Sequence, residues 1–339
     1  MKPTDFSYYL SIFLSKYLPS EAGASENTIA SYRDTFVLFL TFLKDFKSVA
    51  AENLTLNMIT REMVAEYLEW IENVRNCSAS SRNVRLAGIH SFFHYLQYQN
   101  PDNLLEWQRI LSIPVKKTEK KSINYLTLDG VKILLEMPNQ RTIKGRRDLT
   151  LLSLMYDTGA RVQELIDLFP ALIRLDNPGT VKLIGKGNKS RIVPLMEPTK
   201  QILKKYMEEH NFIEKSANKY PLFFNNRREK LTRAGVNYIL SKYKDMARKQ
   251  YAGMIPEVLS CHSLRHSKAM HLLQAGVNLV YIRDILGHSS VQVTEIYARV
   301  DSKQKREALE KAYADVTPSD EPIWQKNNEL LDWLKSFIK

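Results

Sequence analysis

The stretch from Cys261 to Val300 constrains the fold more tightly than any other part of the chain. Apolar residues at Leu264, Met270, Leu272, Leu273 and Val277 recur at helical spacing, so a helix is expected to carry His262 and Arg265. Gly276 follows as a C-cap, and Asn278 is placed to cap a short second helix from Leu279 to Leu286. Gly287 ends that helix and turns His288 back towards the start of the segment. A third helix begins near Ser289 or Ser290 and carries Tyr297. Short helices with tight turns bring distant side chains into one pocket. His262, Arg265, His288 and Tyr297 are of types suited to act together on one phosphodiester.

Upstream, the pattern divides the chain. Phe6, Tyr9, Leu10, Phe13 and Leu14 mark a first helix from Phe6 to Leu18, with Pro19 as its stop. Ser25 or Asn27 caps a second, with Ile29, Tyr32, Phe36, Phe39, Leu40 and Leu43 on its inner face. Thr60 opens a third, carrying Val64, Tyr67, Leu68 and Ile71. Ser78 or Ser80 opens a fourth, carrying Val84, Leu86, Ile89, Phe92, Phe93 and Leu96. Four helices with no strand pattern make a small α-helical domain over residues 1–110. The first turn of the fourth helix holds Arg82 and Arg85, which can reach phosphates together with its backbone amides. The plainer alternative is an ordinary solvated turn, since arginine gains nothing from the dipole at a helix start.

From Asn100 to Lys121 the periodicity breaks. Pro101, Pro114 and the run Lys116-Lys117-Thr118-Glu119-Lys120-Lys121 read as a basic linker, assigned to residues 111–125. A second domain, 126–316, opens at a cap on Thr127 and continues with a buried helix from Arg147 to Thr158. Gly159 ends that helix and Arg161 heads the next, where Glu164 can pair with it. The period then shifts towards two at Leu172–Leu175, Val181–Ile184 and Arg191–Pro194, with turns at Asn177-Pro178-Gly179 and Gly185-Lys186-Gly187-Asn188. A small antiparallel sheet in an otherwise helical domain is expected. Lys186 sits at the tip of the second hairpin; a lysine there is ordinarily just exposed, and Lys189 and Arg191 are nearby candidates for phosphate. Helices resume over 198–211 and 232–250. After the polar break at Pro318 and Pro322, residues 323–339 return to near-helical spacing.

Composition narrows the partner. The 49 Lys and Arg against 37 Asp and Glu leave a net charge of +12, which favours an anionic partner, nucleic acid first. Charge alone is also compatible with a merely soluble protein. Cys77 and Cys261 are too few for a disulfide framework and suit a reducing compartment. Neither a signal pattern nor an apolar run of membrane-spanning length occurs, so cytoplasmic residence without a membrane partner is expected.

Taken together, the motifs resemble those of the tyrosine recombinases, the phage-integrase and Xer-like enzymes. Arg161 stands in Thr158-Gly159-Ala160-Arg161-Val162-Gln163-Glu164-Leu165 and Lys186 in a glycine turn. His262-x-x-Arg265 and Leu286-Gly287-His288 follow in order, with Tyr297 nine residues further on. These matches span most of the segment from Leu126 to Val300. The resemblance implies a mainly α fold: a helical DNA-clamping domain and a mostly helical catalytic domain with a small antiparallel sheet. It implies Tyr297 as nucleophile, Arg161 and Arg265 on the phosphate, Lys186 as acid, His262 as base and His288 as a phosphate donor. Arg82, Arg85, Lys116, Lys117, Lys189 and Arg191 become candidate DNA contacts. The implied partners are a duplex recombination site in the bacterial cytosol or nucleoid and further copies of the chain, up to a tetramer. The tail 317–339 is expected to be exchanged between protomers. No cofactor or metal is expected. The rivals are a type IB topoisomerase, a catalytically dead DNA-binding module, and a zinc nuclease using His262, His266 and His288. A simple two-domain layout favours a chromosomal or mobile-element enzyme over the large phage integrases.

Overall fold

The computed structural model describes residues 3–118, 123–212, 220–288, 290–300 and 334–336, the side chains of Lys186, Arg299 and Val300 excepted. The chain divides into two compact units, residues 1–121 and 122–339.

The first unit is all helical. Helix α1 (Asp5–Ile12) runs on through a π-helical segment, Phe13–Glu21, and packs with α2 (Glu26–Lys47), α3 (Arg61–Asn73) and α4 (Ala79–Gln99). Thr4, Ser25, Thr60 and Ser78 cap the four α-helices, each accepting from a backbone amide three residues on. The core they close is aromatic, with Phe13, Phe36, Phe39, Tyr67, Phe92 and Phe93 all buried. Pro19 is not the stop that the sequence suggests, because the helix continues to Glu21. The wider π turn relieves the clash of a proline ring with the carbonyl of the preceding turn, and buried Phe13 and Leu18 anchor that turn in the core.

A fifth helix adds to the four expected. α5 (Leu104–Leu111) lies at the end of the expected first domain, in the stretch where the periodicity was read as broken, with Trp107 and Ile110 fully buried in the first unit. The Trp107 indole donates to the Asn100 carbonyl at 2.9 Å. The linker is therefore shorter than 111–125. Ile113 belongs to the first core, and Ile123 and Tyr125 pack against the second unit's small cluster.

The second unit is built on α6 (Leu128–Glu136), α7 (Ile143–Thr158) and the short α8 (Val162–Ile166). An antiparallel sheet follows, β1 (Ile173–Arg174), β2 (Thr180–Ile184) and β3 (Ser190–Pro194), in that spatial order. Val181 pairs with Val193 and points inward, while Lys182 and Ile184 face out, the alternation a half-buried strand requires. Helices α9 (Glu197–Glu209), α10 (Arg233–Gln250), α11 (Cys261–Gln274), α12 (Leu279–Leu286) and α13 (Val291–Val300) complete the unit. Buried α7 packs against α9 and α11, and α12 and α13 pack together. The mostly helical fold with one small sheet is as the sequence implies.

Two glycines decide how closely these elements meet. Gly159 ends α7 at φ 56°, and a Cβ there would lie 2.6 Å from Leu286 of α12. Gly287 ends α12 at φ 66°, and a Cβ there would lie 2.9 Å from the Arg191 guanidinium. Both the left-handed backbone and the absent side chain are needed to bring two helix C-termini together.

Candidate active site

The ends of α7 and α12 are where the site forms. Arg265, on α11, donates from Nη1 to the Gly159 carbonyl at 2.6 Å and from Nη2 to the Leu286 carbonyl at 2.7 Å. These carbonyls sit at the negative ends of two helix dipoles, which suits a cation. Arg265 is 1% exposed, and burial, then the positive charge of Arg161 and Arg191, pushes its pKa down to about 10. It remains charged at neutral pH.

Arg161 is the residue before α8. Its amide donates to Glu164 Oε2 at 2.8 Å, its Nη1 to Glu164 Oε1 at 2.9 Å and its Nη2 to the Gly287 carbonyl at 3.1 Å. The side chain is 38% exposed, so the guanidinium keeps an open side. Arg191 of β3 does not. Its Nη1 and Nη2 form a fork on Glu164 at 2.9 and 2.8 Å, its Nε donates to the Ile285 carbonyl at 2.8 Å, and it is 12% exposed. Arg191 is thus not a phosphate ligand; it ties β3 to α8 and α12. Burial of Glu164 raises its carboxyl pKa, but the bonds and charge of Arg191 and Arg161 outweigh burial and hold it below the usual carboxylate range.

Three histidines and the tyrosine fill the other side. Tyr297, on α13, is 2% exposed and packs with Ala269, Met270, Leu273, Ile282 and Leu286. Burial raises its phenol pKa, and the charges of Arg265 and Arg161 oppose that rise. The Tyr297 ring stacks with His288 at 6.4 Å between centroids, and His288 Nδ1 bonds Thr294 Oγ1 at 2.9 Å. The phenol oxygen itself meets His266 Nδ1 at 2.8 Å. His262, expected as the base, is exposed and lies with its ring 4.7 Å from that of His266. His266 has a place in the sequence reading only in the rival zinc site and not beside the tyrosine. Its signal was present: it stands four residues after His262, on the same helix face. Burial first, then nearby positive charge, pushes the pKa of His266 and of His288 down to about 4.

Lys186 opens the turn Lys186–Asn188, and its side chain lies outside the described residues. The hairpin itself reaches the site, since a Cβ on Gly185 would come 3.0 Å from Glu164 Oε1. Lys189 is exposed on the same turn.

The N-terminal candidates separate. Arg82 is 5% exposed, and its Nη1 donates to the Pro114 carbonyl at 2.9 Å and to Asn83 Oδ1 at 3.1 Å, so it anchors the chain after α5. Arg85 donates to the Ser31 carbonyl at 3.1 Å and bridges α4 to α2. Arg82 is buried in that structural role, whereas Arg85 commits only Nη1 and is half-buried. Lys116 pairs with Glu72 at 2.6 Å on the surface, and Lys117 is exposed. The tail 317–339 lies outside the described residues apart from 334–336.

Comparison with known proteins gives this arrangement a family. Residues 124–304 match the phage integrase family, and residues 13–100 match the phage integrase N-terminal SAM-like domain. A putative integrase/recombinase of Sinorhizobium fredii is 34% identical over 302 residues, 89% of this chain and 90% of its own. Tyrosine recombinase XerC of Thermodesulfovibrio yellowstonii is 30% identical over 315 residues, 91% of this chain and 97% of its own. Among solved structures, the XerH site-specific recombinase in a post-cleavage complex with difH substrate shares the fold. Its TM-score is 0.67 at 23% identity, over 88% of this chain and 83% of that one. The chain therefore belongs to the phage integrase family and is a tyrosine-type site-specific DNA recombinase.

Proposed function

We propose that the enzyme cuts and rejoins a specific duplex site through a 3′-phosphotyrosyl bond to Tyr297, without a metal ion, as a tetramer on two sites. The observation that carries this reading is the convergence of Tyr297 with Arg161, Arg265 and three histidines about the ends of α7 and α12. Attack of the phenol oxygen on phosphorus releases the 5′ oxygen, and the ester conserves the bond for religation to a new strand. Arg161 has open guanidinium edges for a non-bridging oxygen. Arg265 is a fixed positive charge whose geometry is set before DNA arrives. With Nδ1 held by Thr294, His288 can donate to the phosphate from its other ring nitrogen. Lys186 is proposed to protonate the leaving oxygen, with Lys189 as the alternative. Arginine charge fills the place a metal would otherwise take.

Lys116, Lys117 and Lys189 remain proposed backbone contacts, and the tail 317–339 the proposed link between protomers. A chromosome or a mobile element is the proposed setting, to be read from inverted repeats in the neighbouring DNA. The enzymatic test uses nicked random duplexes incubated with the full chain in chelator, recovering those that become covalently attached. We expect a covalent adduct with wild type and none with Tyr297→Phe, which keeps DNA binding. An adduct that persists in Tyr297→Phe but is lost in Tyr313→Phe overturns the nucleophile. Strand relaxation without exchange between two sites overturns the recombinase in favour of a topoisomerase.

A further inference from the structure

Among the described residues, the histidine hydrogen-bonded to the phenol oxygen of Tyr297 is His266. Its Nδ1 is 2.8 Å from the Tyr297 oxygen, with the rings 5.6 Å apart at 60°. We propose that His266 is the catalytic base that takes the Tyr297 proton, and that it acts as one only when a DNA phosphate occupies the arginines. The inference rests on the phosphotyrosyl reading above.

Geometry comes first. A base must lie within hydrogen-bond reach of the proton it removes. His266 does; the exposed His262 ring instead meets the edge of His266. His288 presents its ring face to Tyr297 and commits Nδ1 to Thr294. For Nδ1 of His266 to accept, its proton sits on Nε2, the neutral tautomer.

The surroundings decide when transfer can occur. His266 faces His262 and Arg265 on its own helix, Tyr297 on α13 and His288 on the turn before it; Arg161 bears on the cluster from the cap of α8. The carboxylate that reaches this cluster, Glu164, is held by Arg161 and Arg191. Without DNA, burial and these positive neighbours keep His266 neutral and weakly basic, and burial keeps Tyr297 protonated. A phosphodiester seated on Arg161 and Arg265 adds one negative charge beside the cluster. It offsets the charges that disfavour the imidazolium, so His266 takes a proton more readily. Base strength then appears with the substrate.

The step balances. The Tyr297 O–H bond breaks and its proton joins His266 Nδ1, giving an imidazolium. The phenolate oxygen bonds phosphorus, the bond from phosphorus to the 5′ oxygen breaks, and that oxygen takes the proton of the proposed acid, Lys186. Religation runs the same transfers backwards.

The experiment uses the full chain and the nicked duplex recovered by covalent capture. If wild type forms no adduct, the phosphotyrosyl reading fails and the inference falls with it. If it does, single-turnover cleavage is measured against pH for wild type, His266→Asn and His262→Asn. Asn can still accept a hydrogen bond but takes no proton. His266→Asn is expected to cleave about 100-fold more slowly, with a rate that climbs about tenfold per pH unit where wild type is level. His262→Asn is expected to keep the wild-type shape. A His266→Asn profile parallel to wild type means the residue only positions α13 and overturns the proposal. So does hydroxide dependence in His262→Asn instead. A 5′-bridging phosphorothiolate removes the need for an acid, and it is expected to leave the His266→Asn defect intact; full rescue overturns the assignment. Should His266→Asn fail to fold, histidine-selective nitrogen NMR of wild type decides. His266 must titrate at higher pH on the duplex than in the free protein, and an unchanged titration overturns the coupling.

Discussion

Glu164→Gln is the sharpest probe of how the site is held together. Glu164 is 4% exposed and its two oxygens accept from the Arg161 amide, the Arg161 guanidinium and both terminal nitrogens of Arg191. An amide of the same size keeps one acceptor and turns an NH₂ towards donors, so Arg191 loses half of its fork. It also removes the negative charge that balances Arg191, which at 12% exposure has little water to replace it. Breaking a buried pair from one side costs about 3–5 kcal/mol. The Arg161 half is 38% exposed and screened, so the lower end, about 3 kcal/mol, is expected. Native-state hydrogen exchange in 161–168 and 190–195 should then speed up by about two decades, since each decade is about 1.4 kcal/mol. Because the folded pKa of Glu164 is depressed, its stabilisation is complete above the ordinary glutamate range. It is lost as pH falls through the lower folded value, and Glu164→Gln should lack that part of the acid transition. Exchange accelerated less than about fivefold, or an unchanged acid transition, would refute the account of Glu164 as the buried counter-charge.

Arg161→Lys and Arg265→Lys should each lose about 3 kcal/mol of transition-state stabilisation in the cleavage assay, since an ammonium cannot reproduce the planar fork. Arg265→Lys should also lower the melting temperature more than Arg161→Lys, because Arg265 is buried and serves two helix-end carbonyls; equal melting shifts would contradict that. Lys186→Ala should be rescued by a 5′-bridging phosphorothiolate, whose thiolate leaves without a proton, and absence of rescue would move the acid to Lys189. Deleting 323–339 should spare binding to a single site and impair pairing of two sites and strand exchange; recombination at the full-length rate would remove the tail from assembly.

Caps, left-handed stops and strand periods are local, and apart from Pro19 the sequence sufficed for them. Asn278 and Gly287 bound α12 at Leu279–Leu286 because a cap and a left-handed stop are properties of single residues. The three strands and their turns followed from a period of two and from glycine and proline between them. The order of Arg161, His262, Arg265, His288 and Tyr297 was readable because each sits in a short motif. What the sequence could not carry was which donor meets which acceptor. Arg82 and Arg191 read as exposed cations until the fold put carbonyls and a carboxylate within reach of them, at Pro114 for one and Ile285 and Glu164 for the other. Leu104, Trp107 and Leu111 do stand at helical spacing, but they lie between Pro101 and Pro114, where the prolines and the basic run drew the reading towards a linker; burial of Trp107 and Ile110 in the first unit's core decides for a helix. His266 entered the sequence reading as a possible zinc ligand beside His262 and His288. Whether a helix turns one or the other towards Tyr297 depends on how α13 packs against α11, a contact between residues 31 positions apart. Partners chosen across such separations are set by packing, and no window on the sequence contains both.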